Sequence, residues 1–110
     1  MKTIALLRPA PTATLDGIKA ALLAEERAVW RAYVSGELRG THYDLSLPGA
    51  VVLELETNTA ERARELAREL PLVANGLLDP KLIPTKPYDG LANLFAPGSG
   101  FSQTLPDEWR

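Results

Sequence analysis

Apolar residues recur along this chain in two rhythms. The first run, residues 3–7, is short and apolar and closes at Arg8-Pro9-Ala10-Pro11, as suits a buried central strand. Thr14 is placed to cap a helix, with Asp16 in its first turn. From there to about Ser35, Leu15, Ile18, Leu22, Val29 and Tyr33 mark one helical stripe, and Gly36 ends it. Residues 38–47 read as a strand, Pro48-Gly49 as a turn, and Ala50 to Glu56 as a second strand, strongly apolar at Val51, Leu53 and Leu55. Asn58 with Glu61 three residues on forms a capping-box pattern ahead of a second helix. Ala63, Leu66, Ala67 and Leu70 are the buried stripe of that helix, the charges between them are its wet face, and Pro71 ends it. A last strand falls within residues 77–85; with Pro80 inside it, it belongs at a sheet edge.

This order predicts an α+β fold of the ferredoxin-like kind: βαββαβ, a four-stranded antiparallel sheet with two helices on one face. Residues 1–95 form that domain, and residues 96–110 an irregular C-terminal tail with late anchors at Phe101 and Trp109. Each helix has a single apolar stripe, so both cover the same side of the sheet. The other side, with Ala50 and Val52 on it, is bare and partly apolar, which makes it an association site. Closing it on a second copy gives a homodimer with a shared α/β barrel, and larger rings are a further assembly open to it.

Composition narrows the chemistry. The 110 residues are 45% hydrophobic and 24% charged, with a net charge of −2, the balance of a globular domain. Without a basic stripe, nucleic acid is not an expected partner. There are no cysteines and one histidine, which removes thiolate nucleophiles, thiolate-bound zinc and any intrachain multi-histidine metal site. Absence of cysteine suits a cytoplasmic location. The apolar run after Lys2 stops too soon for a signal peptide, and no stretch is long enough to span a membrane, so a membrane is not expected either.

Leu70-Pro71-Leu72-Val73, Gly76-Leu77-Leu78, Ile83-Pro84 and Pro87-Tyr88 together resemble the muconolactone isomerase-like group of dimeric α/β-barrel proteins. Arg8-Pro9 after the first strand, Gly36 with Arg39, Pro48-Gly49-Ala50-Val51 at the hairpin and Leu94-Phe95 fit the same group. The resemblance spans residues 3–95; Pro80, interrupting a strand that is often continuous, and the added tail depart from it. It implies a small homodimer with a pocket between helices and sheet or inside the barrel. It also implies proton transfer within a lactone without any cofactor, and similar barrels serve as cofactor-free oxygenases and as cyclases for polyketide-like intermediates.

Proton transfer needs groups that titrate near working pH. His42 qualifies unperturbed, and Asp44, two residues on and on the same side of the strand, is placed to orient it; the alternative is an exposed edge-strand pair. Glu54 lies opposite Val51, Leu53 and Leu55 and would point into the barrel as a base with a raised pKa, or form a salt bridge across the dimer, with Arg39 as one partner. A two-residue loop at Pro48-Gly49 would pair Tyr43 with Glu54 and put His42 on the opposite side; a bulge or longer loop reverses this. His42, Glu54 and Asp44 are therefore the expected catalytic residues, and Arg39, Tyr43, Trp30 and Tyr88 the expected substrate contacts. Trp30 and Tyr33, at helical spacing, fit the core as well as a pocket. Glu25 and Glu26 interrupt the apolar stripe of the first helix and are expected at its surface, the alternative being that one of them reaches a pocket rim. The leading expectation is a cofactor-independent isomerase or cyclase acting on a small carbonyl, lactone or polyketide-like compound. The alternatives are a non-catalytic small-molecule-binding or assembly module and a cofactor-free oxygenase.

Overall fold

The computed structural model describes residues 1–96; the expectations for the tail, including Phe101 and Trp109, lie outside the described residues. The elements are β1 (Lys2–Pro9), α1 (Leu15–Ser35), β2 (Leu38–Tyr43), β3 (Val51–Glu56), α2 (Ala60–Glu69), α3 (Pro71–Ala74) and β4 (Leu78–Pro84), followed by a 3-10 turn at Gly90–Phe95. The strands form one antiparallel sheet in the order β2-β3-β1-β4, so each half of the chain crosses over a strand of the other. This is the ferredoxin-like α+β arrangement that the order of apolar runs predicts.

Local chemistry explains most boundaries. Thr14 caps α1, its hydroxyl accepting from the Gly17 N–H at 3.0 Å, and Gly36 ends the helix at φ 85°, a conformation that favours glycine. For α2 the cap is Thr59, whose Oγ1 accepts from the Arg62 N–H at 3.1 Å, and not Asn58; the capping side chain sits one residue later than the box pattern suggests. Pro71 ends α2 and opens α3 at its first position, where a missing N–H costs nothing.

The first strand of the hairpin is shorter than expected. The Asp44 carboxylate accepts from the Ser46 N–H at 2.8 Å and from its hydroxyl, an Asx turn that takes the chain out of β2 at Tyr43. The connection is therefore a longer loop, and Tyr43 pairs with Val51 and His42 with Val52. The same register sets Gly40 opposite Glu54, and a bulge between Leu38 and Gly40 then shifts Leu38 to pair with Leu55. The two-residue hairpin register is not the one adopted, and His42 and Glu54 share a face.

Pro80 does not interrupt β4, which runs unbroken from Leu78 to Pro84 at the sheet edge. Thr85 donates to Lys2 and Ala10 donates to Leu77 across the β1–β4 pair. Antiparallel alternation then turns the nitrogens of Pro80 and Pro84 away from β1, so neither proline breaks the ladder and both blunt the outer edge.

The core lies on one side of the sheet. Ala5, Leu7, Leu38, Leu53, Leu55 and Leu78 from the strands meet Ala63, Leu66, Leu70, Leu72 and Ala32 from the helices. The opposite side carries Ile4, Leu6 and Val52, half-buried, with Ile83, and a surround of Lys2, Arg8, Glu54, Glu56, Asp79 and Lys81. Among the described residues no helix is long and apolar enough to cross a membrane.

Candidate functional site

The helix α1 rests against the core through small residues. Ala21, Ala28 and Ala32, with Ile18, pack inward and bring it against α3. Its bulkier flank, Leu15, Leu22, Trp30 and Tyr33, is exposed and overhangs β2 and β3 without filling the gap to them. The result is a cleft of about 660 Å³ between α1 and the helix side of the sheet, with Leu38, Thr41, Tyr43, Val51 and Leu53 on the sheet wall. That size falls within the range of small-molecule sites.

Glu25 stands in this cleft. It is 7% exposed, and its Oε2 accepts from the Leu72 N–H at 3.0 Å, its one hydrogen-bond donor among the described residues. Burial pushes its carboxyl above the usual range, against the opposing pull of the Leu72 bond. Glu26 lines the cleft as well and is exposed. The expected surface placement holds for Glu26 and is corrected for Glu25, which is part of the stripe, four residues from Ala21 and seven from Ile18 and Ala32. A carboxylate interrupting an apolar stripe at core spacing was the available signal, and a burial site is what it marked.

Trp30 and Tyr33 are not core. They are 64% and 56% exposed and stack on each other at 5.8 Å between centroids and 20° between planes, forming an aromatic ledge on the cleft. Tyr43 lines the opposite wall at 84% exposure. Tyr88, 81% exposed, lies outside the cleft lining; its ring sits against Gly90, where an added Cβ would meet it at 2.7 Å.

His42 belongs to the edge strand, lines the cleft and joins a second cluster on the open side of the sheet. There Glu54 Oε2 lies 3.2 Å from His42 Nε2, and its Oε1 lies 3.4 Å from Lys2 Nζ. Gly40 beside them leaves room for the carboxylate, since a Cβ there would collide with Glu54. Glu54 does point away from the helices, but its carboxyl is held below the usual range, first by the His42 hydrogen bond and then by Lys2, where a raised pKa was expected. Asp44 is bonded to Ser46, which lowers its pKa. Arg39, pushed out by the bulge, donates through Nε to the Gly36 carbonyl at 2.8 Å rather than to Glu54. Among the described residues no three His, Asp or Glu side chains converge as a metal site.

The architecture has a solved counterpart. The chain resembles the 5-chloro-2-hydroxyhydroquinone dehydrochlorinase of Burkholderia phenoliruptrix AC1100, solved in complex with 2,5-dihydroxybenzoquinone, with a TM-score of 0.62. Sequence identity is 10%, and the match covers 80% of this chain and 97% of that one. The two share a fold. No family model matches the sequence, and no curated protein does.

Proposed function

We propose that this protein is a small-molecule enzyme that moves a proton within a carbonyl or lactone compound bound between α1 and the sheet, an isomerase or cyclase working without a cofactor. The observation that carries the reading is Glu25, a buried carboxyl with a raised pKa facing a largely apolar cleft of ligand size. Such a group is a stronger base once ionised and a ready acid once protonated. As carboxylate it takes a proton from carbon next to the ligand's carbonyl, leaving an enolate and neutral Glu25. It then returns that proton at a different carbon. Leu72, by donating to one oxygen, holds the carboxyl in orientation and leaves the other to the ligand. Trp30, Tyr33 and Tyr43 supply ring-stacking surface, and His42, backed by Glu54, is the second proton-transfer group on the β2 side.

Support of a broader kind comes from the fold shared with a dehydrochlorinase that binds a dihydroxybenzoquinone and from the sequence resemblance to muconolactone isomerase-like proteins. We also propose that the open side of the sheet closes on a second copy. Its apolar centre of Ile4, Leu6, Val52 and Ile83 inside a ring of both charge signs is self-complementary in the way a two-fold contact needs. In that setting the engagement of Glu54 by Lys2 and His42 favours a pairing role for it over that of principal base.

The test is deuterium incorporation from D₂O into a panel of ring lactones and cyclic 1,3-dicarbonyls, followed by NMR. Wild-type protein is expected to catalyse exchange, and Glu25→Gln to slow it by about 100-fold or more. His42→Gln is expected to slow it less. Unchanged exchange in Glu25→Gln removes Glu25 as the base.

A further inference from the structure

The cleft has a charge pattern that separates classes of ligand, an inference that rests on its being the ligand site proposed above. Of the described residues lining it, none is lysine or arginine; besides the phenols of Tyr33 and Tyr43, its ionisable members are Glu25, Glu26 and His42. Arg39, the one cation among the expected substrate contacts, is turned back to the Gly36 carbonyl and does not line the cleft. Lys2 is on the other side of the sheet, engaged with Glu54. A ligand carboxylate entering this space would leave water with no lysine or arginine among the described lining residues to receive it, with His42 already engaged by Glu54 and with two glutamates nearby. Burying an unpaired charge is strongly unfavourable. An uncharged carbonyl or hydroxyl group loses far less, and Glu25 can bond to either: its carboxylate accepts from a hydroxyl, and its acid form donates to a carbonyl.

We infer that the cleft selects uncharged, ring-containing carbonyl or hydroxyl compounds and excludes their carboxylated counterparts. Selection comes from the missing cation as much as from the glutamates. The aromatic ledge of Trp30 and Tyr33 favours a flat ligand face. A cleft of about 660 Å³ accommodates ligands up to drug size, so a fused-ring compound enters without strain.

Coumarin and coumarin-3-carboxylate are suitable probes, two flat lactones that differ by one ionised group at neutral pH. Equilibrium dialysis of each against the full chain is expected to show coumarin bound and the carboxylate bound at least about tenfold more weakly. Replacing Leu22, on the cleft rim, by lysine (Leu22→Lys) supplies the missing cation and is expected to narrow or invert that ratio. Glu25→Gln is expected to narrow it as well, and the Leu22 variant decides the matter should the buried substitution not fold. Equal binding of the two probes, tighter binding of the carboxylate to wild-type protein, binding of neither, or a ratio unmoved by Leu22→Lys each overturns the inference. Selective binding of coumarin with no deuterium exchange on any carbonyl compound instead leaves the selectivity standing and removes the proton-transfer reading.

Discussion

Glu25 shows what a single side chain inside an apolar stripe does to both stability and chemistry. Its carboxyl is raised above the ordinary value of 4.5 by burial. Below that value both the folded and unfolded chains hold the proton, and no ionisation cost arises. As pH climbs, the unfolded chain releases its proton first, so stability falls until the folded carboxyl has also ionised, and then levels off. Glutamine keeps an acceptor for Leu72 and removes the titration. The melting temperature of Glu25→Gln relative to wild type is therefore expected to rise between acid and neutral pH, as read by circular dichroism. A difference that stays flat would mean that Glu25 carries no raised pKa. Glu54 has the opposite sign: His42 and Lys2 lower its pKa, so what they contribute is present above 4.5 and is lost as the pH drops through the folded value.

At the level of elements, the deciding contacts are short-range ones between side chain and backbone. Thr59, one residue past the position that the capping-box pattern marks, bonds to Arg62 and starts α2. Thr59→Ala is expected to cost about 1 kcal/mol in chemical denaturation, while Asn58→Ala, at an exposed position with no cap bond, is expected to change little. A reversed order would move the cap back to Asn58. Arg62 also forms a two-bond fork with Glu37, 2.9 Å for each contact, tying the first turn of α2 to the segment between α1 and β2. The same logic governs the hairpin. Asp44 reads in the sequence as a strand residue beside His42, but its bond to Ser46 shortens β2 and lengthens the loop, and that shift brings His42 to the side of Glu54. A period of two specifies which residues alternate, not where a loop begins.

For the molecule as a whole, the question is what covers the two surfaces that the core leaves open. The helix side is interrupted by the cleft; the opposite side presents Ile4, Leu6, Val52 and Ile83. Sedimentation at micromolar concentration is expected to give the mass of two chains, and Ile4→Lys, placed at the centre of that patch, to give one. A wild-type monomer with a stable fold would show that this face remains wet. Dissociation by Ile4→Lys with the cleft's affinity for coumarin unchanged would place ligand binding within one chain.

The run of apolar and polar residues was enough to specify the four strands and two long helices, their order, the single covered face and the edge position of β4, though not α3 or the last 3-10 turn, because each follows from burying one stripe or one face and from the rigid chemistry of proline and glycine. It also exposed Glu25 as an anomaly. Tertiary structure alone decided that Glu25 is buried, that Trp30 and Tyr33 flank a cavity instead of filling a core, and that His42 meets Glu54. The reason is distance. Whether alanines draw a helix toward one neighbour and lift its bulky flank off a sheet depends on several elements at once, and no local pattern of residues contains that spacing.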